Sequence, residues 1–267
     1  MEWSSEAVAA FHDRVAVPHL FVAPARDLVA LLELPLGGAV LDVGTGTGLA
    51  AALVLDAVGE RGTAIGLDPS LPMLRVARTH GLTHLVAART PGLPFPGCAF
   101  DEVLANFVIS HCPNYEKSLG DMARVLRPGG KLGVSAWGRN ENDFTRLWQE
   151  VRKPFINLDD FLAAFRRELP WEEWFSDIAH CQQALTGAGL ADVQVHRREY
   201  PISMDRDDYL ASREVTAQAR VMRQMLGPKS WERFWGKFCG AVRARFQSPI
   251  QYVNVVHLGI GTKPRSF

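Results

Sequence analysis

Leu41-Asp42-Val43-Gly44-Thr45-Gly46-Thr47-Gly48 decides how the rest of this 267-residue chain reads. The run joins a short apolar stretch, Ala39 to Val43, to a helical pattern that starts near Leu49. Glycines at a strand-to-helix junction let the backbone approach a ligand closely and take positive φ, and the helix that follows offers free N–H groups. The spacing is G-x-G-x-G. A dinucleotide fingerprint, G-x-G-x-x-G, would place its third glycine at position 49, which is Leu49. Asp42, two residues ahead of the first glycine, would repel a pyrophosphate but can meet a cationic amino group.

Outward from this run, apolar segments alternate with helical patterns. Predicted strands follow at Ala64 to Asp68, His84 to Ala88, Asp101 to Asn106 and Lys131 to Ala136, with helices over Leu49 to Val58, Leu71 to His80 and Tyr115 to Leu126. Short apolar strands separated by crossover helices predict a parallel sheet covered on both faces. After Trp137 the alternation stops. Residues 139–175 are rich in aromatic side chains and lean acidic, a helix from about Ser176 to Ala188 leads to a strand from Ala191 to Tyr200, and the last strand spans Tyr252 to Gly261. Between those strands, residues 204–248 form a second insertion, whose stretch from Arg213 to Arg245 holds eight basic and two acidic residues. The first 35 residues read as two helices broken near Pro18, forming a flap over the core. The chain is read as one domain, 1–267.

Lys plus Arg and Asp plus Glu both number 29, so the formal charge is zero and no global field recruits nucleic acid or a membrane surface. Hydrophobic residues at 47% and charged residues at 22% exclude disordered and fibrous classes. The four cysteines are widely spaced with no C-x-x-C pair, which reads as reduced thiols in a cytoplasmic protein. Met1 to Glu6 lacks the basic and apolar regions of a secretory leader, and no apolar run is expected to reach the ~20 residues of a membrane span, so no stable membrane insertion is expected.

Asp68 ends the second predicted strand beside the glycine run, where a carboxylate can accept both hydroxyls of a ribose. Asp68 alone suits a nicotinamide dinucleotide equally well, and an oxidoreductase is weakened by Leu49. Asp42, G-x-G-x-G and Asp68 together resemble the class I S-adenosylmethionine-dependent methyltransferases. The resemblance continues in order through Leu93-Pro94-Phe95-Pro96 with Phe100-Asp101, Phe107 to Asn114, and Arg124 to Leu132. It is closest to the branch acting on small molecules and quinone rings, and it covers about residues 36–137. It implies an α/β, Rossmann-like fold with a mostly parallel seven-stranded sheet, helices on both faces and one antiparallel strand. It also implies S-adenosyl-L-methionine as cofactor and S-adenosyl-L-homocysteine as product. By position it assigns Asp42, Gly44, Thr45 and Gly46 to the methionine part, Asp68 to the ribose, Pro69, Ser70 and Met73 to ribose and adenine, and Asn106 and Phe107 to the sulfonium region. One departure is Ala88-Arg89-Thr90, where many relatives carry an acid for the adenine amino group; Arg89 cannot accept that bond, which leaves backbone groups near Ala88 and Arg89.

His111 follows the fourth predicted strand on the side where an acceptor must approach the methyl group, and it reads either as a general base or as a pocket wall. The insertions follow strands whose ends face the same place, so they are expected to form a substrate lid with Trp137 at its edge and Trp148 lining it. Opposite local charges would favour closure, with aromatic burial supplying most of the energy. The expected activity is methyl transfer to a small, aromatic or lipophilic acceptor. Methylation of RNA or protein, and a noncatalytic S-adenosylmethionine-binding protein, are the alternatives. No metal site is expected, and a homodimer is left open.

Overall fold

The computed structural model describes residues 5–265, so the reading of Met1 to Ser4 lies outside the described residues. Ser5 caps the first helix by accepting the Val8 N–H at 3.2 Å. Helix α1 (Glu6–Phe11) runs directly into a π-helical stretch, His12–Phe21, and then into α2 (Val22–Leu32). Pro18 was expected to break this segment and does not. A π turn bonds each N–H to a carbonyl five residues back, and this widened stretch takes up a residue that has no N–H to give. The resulting run, Glu6–Leu32, has a mean hydropathy of 1.5 over its most apolar window, and by length and composition alone it is apolar enough to cross a membrane, contrary to expectation. Its buried side chains, among them Ala9, Val15, Leu28 and Leu32, pack on the rest of the protein. The expected flap over residues 1–35 is therefore divided: α2 belongs to the core, and only the segment before it lies over the sheet's end.

The central strands and helices lie within two residues of their predicted positions. They are β1 (Ala39–Val43), α3 (Leu49–Val58), β2 (Thr63–Leu67), α4 (Leu71–Thr79), β3 (Leu85–Val86), β4 (Glu102–Asn106), α5 (Tyr115–Val125) and β5 (Lys131–Trp137). The first insertion folds as α6 (Asp143–Arg152), α7 (Leu158–Glu168) and α8 (Glu172–Phe175), before α9 (Ile178–Gly187) and β6 (Ala191–Met204). The second holds α10 (Arg206–Glu214) and α11 (Ala217–Arg245), the latter kinked at Gly227-Pro228, and β7 (Ile250–Thr262) closes the fold. The sheet order is β3-β2-β1-β4-β5-β7-β6. Strand β7 runs antiparallel to both its neighbours, while the pairs on the other side of β5 are parallel.

This topology lifts the insertions over one end of the sheet. Trp137, the last residue of β5, pairs with Val256, yet β7 begins six residues earlier at Ile250 and pairs with β6 as far as Met204. The overhang is a two-stranded ribbon rising past the carboxyl ends of β1, β4 and β5, and it carries α10 and α11 with it. Helix α6 leaves β5 at the same end and packs on α11. Trp148 of α6, 3% exposed, sits edge-on to Phe234 at 5.1 Å and Phe238 at 4.9 Å. Trp148, expected to face a substrate, has its ring packed between the two insertions. The opposite charges also meet there. Arg245 forks onto Glu150 at 2.7 and 2.8 Å, and Arg220 reaches Glu168 at 2.9 Å. The first of these pairs is exposed and screened by solvent, so aromatic packing holds the two insertions together.

Candidate active site

Parallel sheets bind ligands outside the carboxyl ends of their strands where the strand order reverses, here between β1 and β4. The glycine run occupies that position. The Gly44 and Thr45 N–H groups both donate to the Leu67 carbonyl, at 2.6 and 3.0 Å, which ties the loop across to β2. Gly44 has φ 72°, and an added Cβ would lie 2.3 Å from Val108, so this glycine is required by packing. Gly46 has φ 56° and an added Cβ would meet nothing within 4 Å, so its missing side chain leaves open space at the crevice. Gly46→Ala is therefore expected to fold with a loss of about 1 kcal/mol from the left-handed backbone. Its affinity for a nucleoside ligand in the crevice should fall more steeply than its melting temperature; unchanged affinity in calorimetry would place the ligand elsewhere.

Asp42 is 1% exposed. Its Oδ2 accepts the Thr45 hydroxyl at 2.7 Å, while Oδ1 is buried with no hydrogen-bond partner. Burial pushes its pKa up to about 7, with the Thr45 hydroxyl and the Ala51 backbone N–H, both donating to the carboxylate, opposing. A buried carboxylate oxygen lacking a donor is a place made for one. Asp68 bridges two elements: Oδ2 accepts the Gly46 N–H at 3.0 Å and Oδ1 the Ser70 N–H at 2.8 Å. Burial raises its pKa and these two bonds lower it. Ser70 caps α4 by accepting the Met73 N–H, which fixes Ser70 and the buried Met73 beside Asp68, with Pro69 exposed between. Ala88 is half-buried and Arg89 exposed beyond β3.

Across the crevice, Asn106 and Phe107 end β4. Ser135 of β5 donates to Asn106 Oδ1 at 2.7 Å and accepts the Phe107 N–H at 2.8 Å. Phe107 holds φ 57°, a left-handed conformation that costs an L-residue energy and is kept only where the surroundings impose it. Its ring stacks on Trp137 at 4.2 Å, and Phe21 of the π-helical stretch packs edge-on against Phe107 at 5.1 Å and on Trp137 at 5.7 Å. Phe21 was not singled out from sequence, since nothing local marks it as a partner of β4 and β5.

His111 sits on the 3-10 turn Ile109–His111. Burial lowers its pKa to about 4, the positive charge of Arg220 adding to this and Glu168 opposing it. At neutral pH it is an uncharged imidazole, and its surroundings disfavour its taking up a proton. Arg220 and Glu168, one from each insertion, thus lie near enough to His111 to influence its charge. Beside it, burial raises Glu172 of α8 to about 7, with the Ser110 side chain opposing, a second titratable group that sequence reasoning missed. His180 stacks on Trp174, and His257 lies against the Phe175 carbonyl, both as structural residues. Among the described residues no group of His, Cys, Asp or Glu has metal-site geometry, and all four cysteines are free.

Residues 41–134 match the sequence profile of a methyltransferase domain. Demethylmenaquinone methyltransferase from Bacillus licheniformis is 38% identical over 106 residues, which is 38% of this chain and 46% of that protein. The same enzyme from Listeria monocytogenes is 35% identical over 160 residues, 55% of this chain and 65% of that one. The chain thus spans roughly half to two thirds of the length of these relatives. Among solved structures, phosphoethanolamine N-methyltransferase 2 of Haemonchus contortus, in complex with phosphomonomethylethanolamine and S-adenosylhomocysteine, superposes with a TM-score of 0.57 at 15% identity, over 98% of this chain and 58% of that one. A methyltransferase from Aquifex aeolicus gives 0.51 at 20% identity, over 74% and 93%. The strand order, the glycine crevice and these matches agree on the architecture: the chain has the class I methyltransferase fold, and its residues 41–134 match a methyltransferase-domain profile.

Proposed function

We propose that this protein transfers a methyl group from S-adenosyl-L-methionine to a small, lipophilic acceptor with a ring of the quinone or phenol type. The observation that carries the reading is the crevice itself, where the unpartnered Oδ1 of Asp42, the open space at Gly46 and the bridging carboxylate of Asp68 lie along one line of backbone. These residues fit the cofactor: Asp42 offers an acceptor to its amino group, Gly46 leaves room, and Asp68 keeps lone pairs for ribose hydroxyls. When bound, the cofactor supplies an electrophilic methyl group on a sulfonium. The relatives named as demethylmenaquinone methyltransferases support a ring-bearing acceptor, as do the apolar faces of Phe21, Phe107 and Trp137.

The chain's own contribution is alignment and exclusion of water. Phe107, held in its strained conformation, and Trp137 form an apolar wall on which a flat ring can lie. The lid then keeps water from the reacting atoms, and alignment of this kind supplies most of the rate in a displacement whose charge is dispersed. His111, uncharged at neutral pH, offers a ring nitrogen that can accept a hydrogen bond from an acceptor hydroxyl and orient it. The reading places the protein in the cytoplasm, where its free cysteines stay reduced.

Asp42 gives this proposal a signature. With its pKa raised to about 7 by burial, it is partly protonated at pH 7, and a neighbouring cation favours its charged form. Binding of S-adenosylmethionine at pH 7 should therefore release a fraction of a proton, read by calorimetry in buffers of different ionisation enthalpy. Asp42→Asn should abolish the release. Proton uptake by the parent protein, or no binding of S-adenosylmethionine beside tight binding of a nicotinamide dinucleotide, would end the proposal.

A further inference from the structure

The two insertions enclose positive charge with nothing to balance it. Arg152, in the last turn of α6, is 5% exposed, and its guanidinium lies 4.5 Å over the Phe161 ring. Its Nε and Nη1 are buried without a hydrogen-bond partner, and among the described residues no acid forms an ion pair with it. One turn earlier on the same helix face, the indole Nε1 of Trp148 is likewise buried with no acceptor. Arg213 lies 5.1 Å over the Trp148 ring; it donates to Gln218 at 2.8 Å, while its Nε has no partner and it too forms no ion pair. Every one of these groups donates hydrogen bonds and none accepts them.

The ring beneath Arg152 and the carboxyl end of α6 ease the charge without giving its N–H groups an acceptor. A buried guanidinium is normally paired, because removal from water is expensive for a charge and for each unmade bond. The neighbouring cations follow that rule: Arg220 is paired with Glu168, Arg223 with Glu214 and Arg245 with Glu150. Arg152 stands apart in being both more deeply buried and unpaired.

We infer that the interior of the lid is an anion-recognition site, in which the Arg152 guanidinium and the Trp148 indole N–H receive a carboxylate carried by the acceptor. The guanidinium and the indole N–H offer only donors, and a carboxylate offers only acceptors together with the balancing charge. The aromatic surroundings of Phe161, Phe234 and Phe238 suit an apolar body next to that group. The inference rests on the proposed methyl transfer and narrows its acceptor to a lipophilic acid, held at the end remote from the reacting atom.

The test compares 4-butylbenzoate, 4-butylbenzamide and inorganic phosphate by calorimetry, with and without saturating S-adenosylhomocysteine. The carboxylate should bind at least tenfold more tightly than the amide and raise the melting temperature, and phosphate should do neither. Arg152→Met should remove the preference and melt higher than the parent in the absence of ligand, since it deletes an unpaired buried charge. Arg152→Lys keeps the charge without the fork and should retain only part of the preference. Equal binding of acid and amide, tighter binding of phosphate, or an undiminished preference in both variants would overturn the inference. Failure of S-adenosylhomocysteine to bind would instead strike at the cofactor reading, with the acid-to-amide comparison still readable on the free protein.

Discussion

Asp68→Ala is expected to weaken S-adenosylmethionine binding about 10- to 150-fold, equivalent to about 1.5–3 kcal/mol, the range for lost hydrogen bonds to a charged group. Two effects combine. The ribose loses its acceptor, and the Gly46 and Ser70 N–H groups lose the carboxylate that holds the glycine loop against the start of α4. Asp68→Asn separates them, since the amide oxygen still accepts one bond while the charge is gone, and its loss should fall between parent and alanine. Calorimetry with S-adenosylhomocysteine reads both. An Asp68→Ala protein that binds as tightly as the parent would remove Asp68 from the site.

The larger effect on stability should come from Trp148→Ala, at about 3–5 kcal/mol, the cost of emptying an aromatic position in a packed core. Trp148 is wedged between Phe234 and Phe238 and joins α6 to α11, so its loss uncouples the insertions from each other. Denaturant unfolding should show either a lower midpoint or a separate early transition for the lid, while S-adenosylhomocysteine affinity changes little because the crevice lies on other elements. A variant with unaltered unfolding would show that Trp148 does not join the two insertions.

The contrast between these two residues marks what could be read from the chain. Asp68 was legible because its role depends on local order: an apolar strand, a carboxylate at its end, and a glycine run on the neighbouring strand. The same logic located β1 through β5 within two residues. The packing of Trp148 on α11 was not legible because aromatics at helical spacing look the same whether they line a cavity or pack on a second helix, and only the α6–α11 contact shows it. Pro18 misled for a related reason, since a π-helical stretch tolerates a residue that an α-helix does not. Phe21 reaches Phe107 and Trp137 from far along the sequence, and the buried donors of Arg152 have meaning only once no acid is seen to pair with them. No periodicity carries either fact.

The account stands most directly on where a nucleoside settles. A crystal structure grown with S-adenosylhomocysteine should place both ribose hydroxyls within hydrogen-bond distance of Asp68, the amino group against Oδ1 of Asp42, and the sulfur toward Phe107 and His111. A crevice left empty at saturating S-adenosylhomocysteine, or a ligand whose ribose lies away from Asp68, would contradict it.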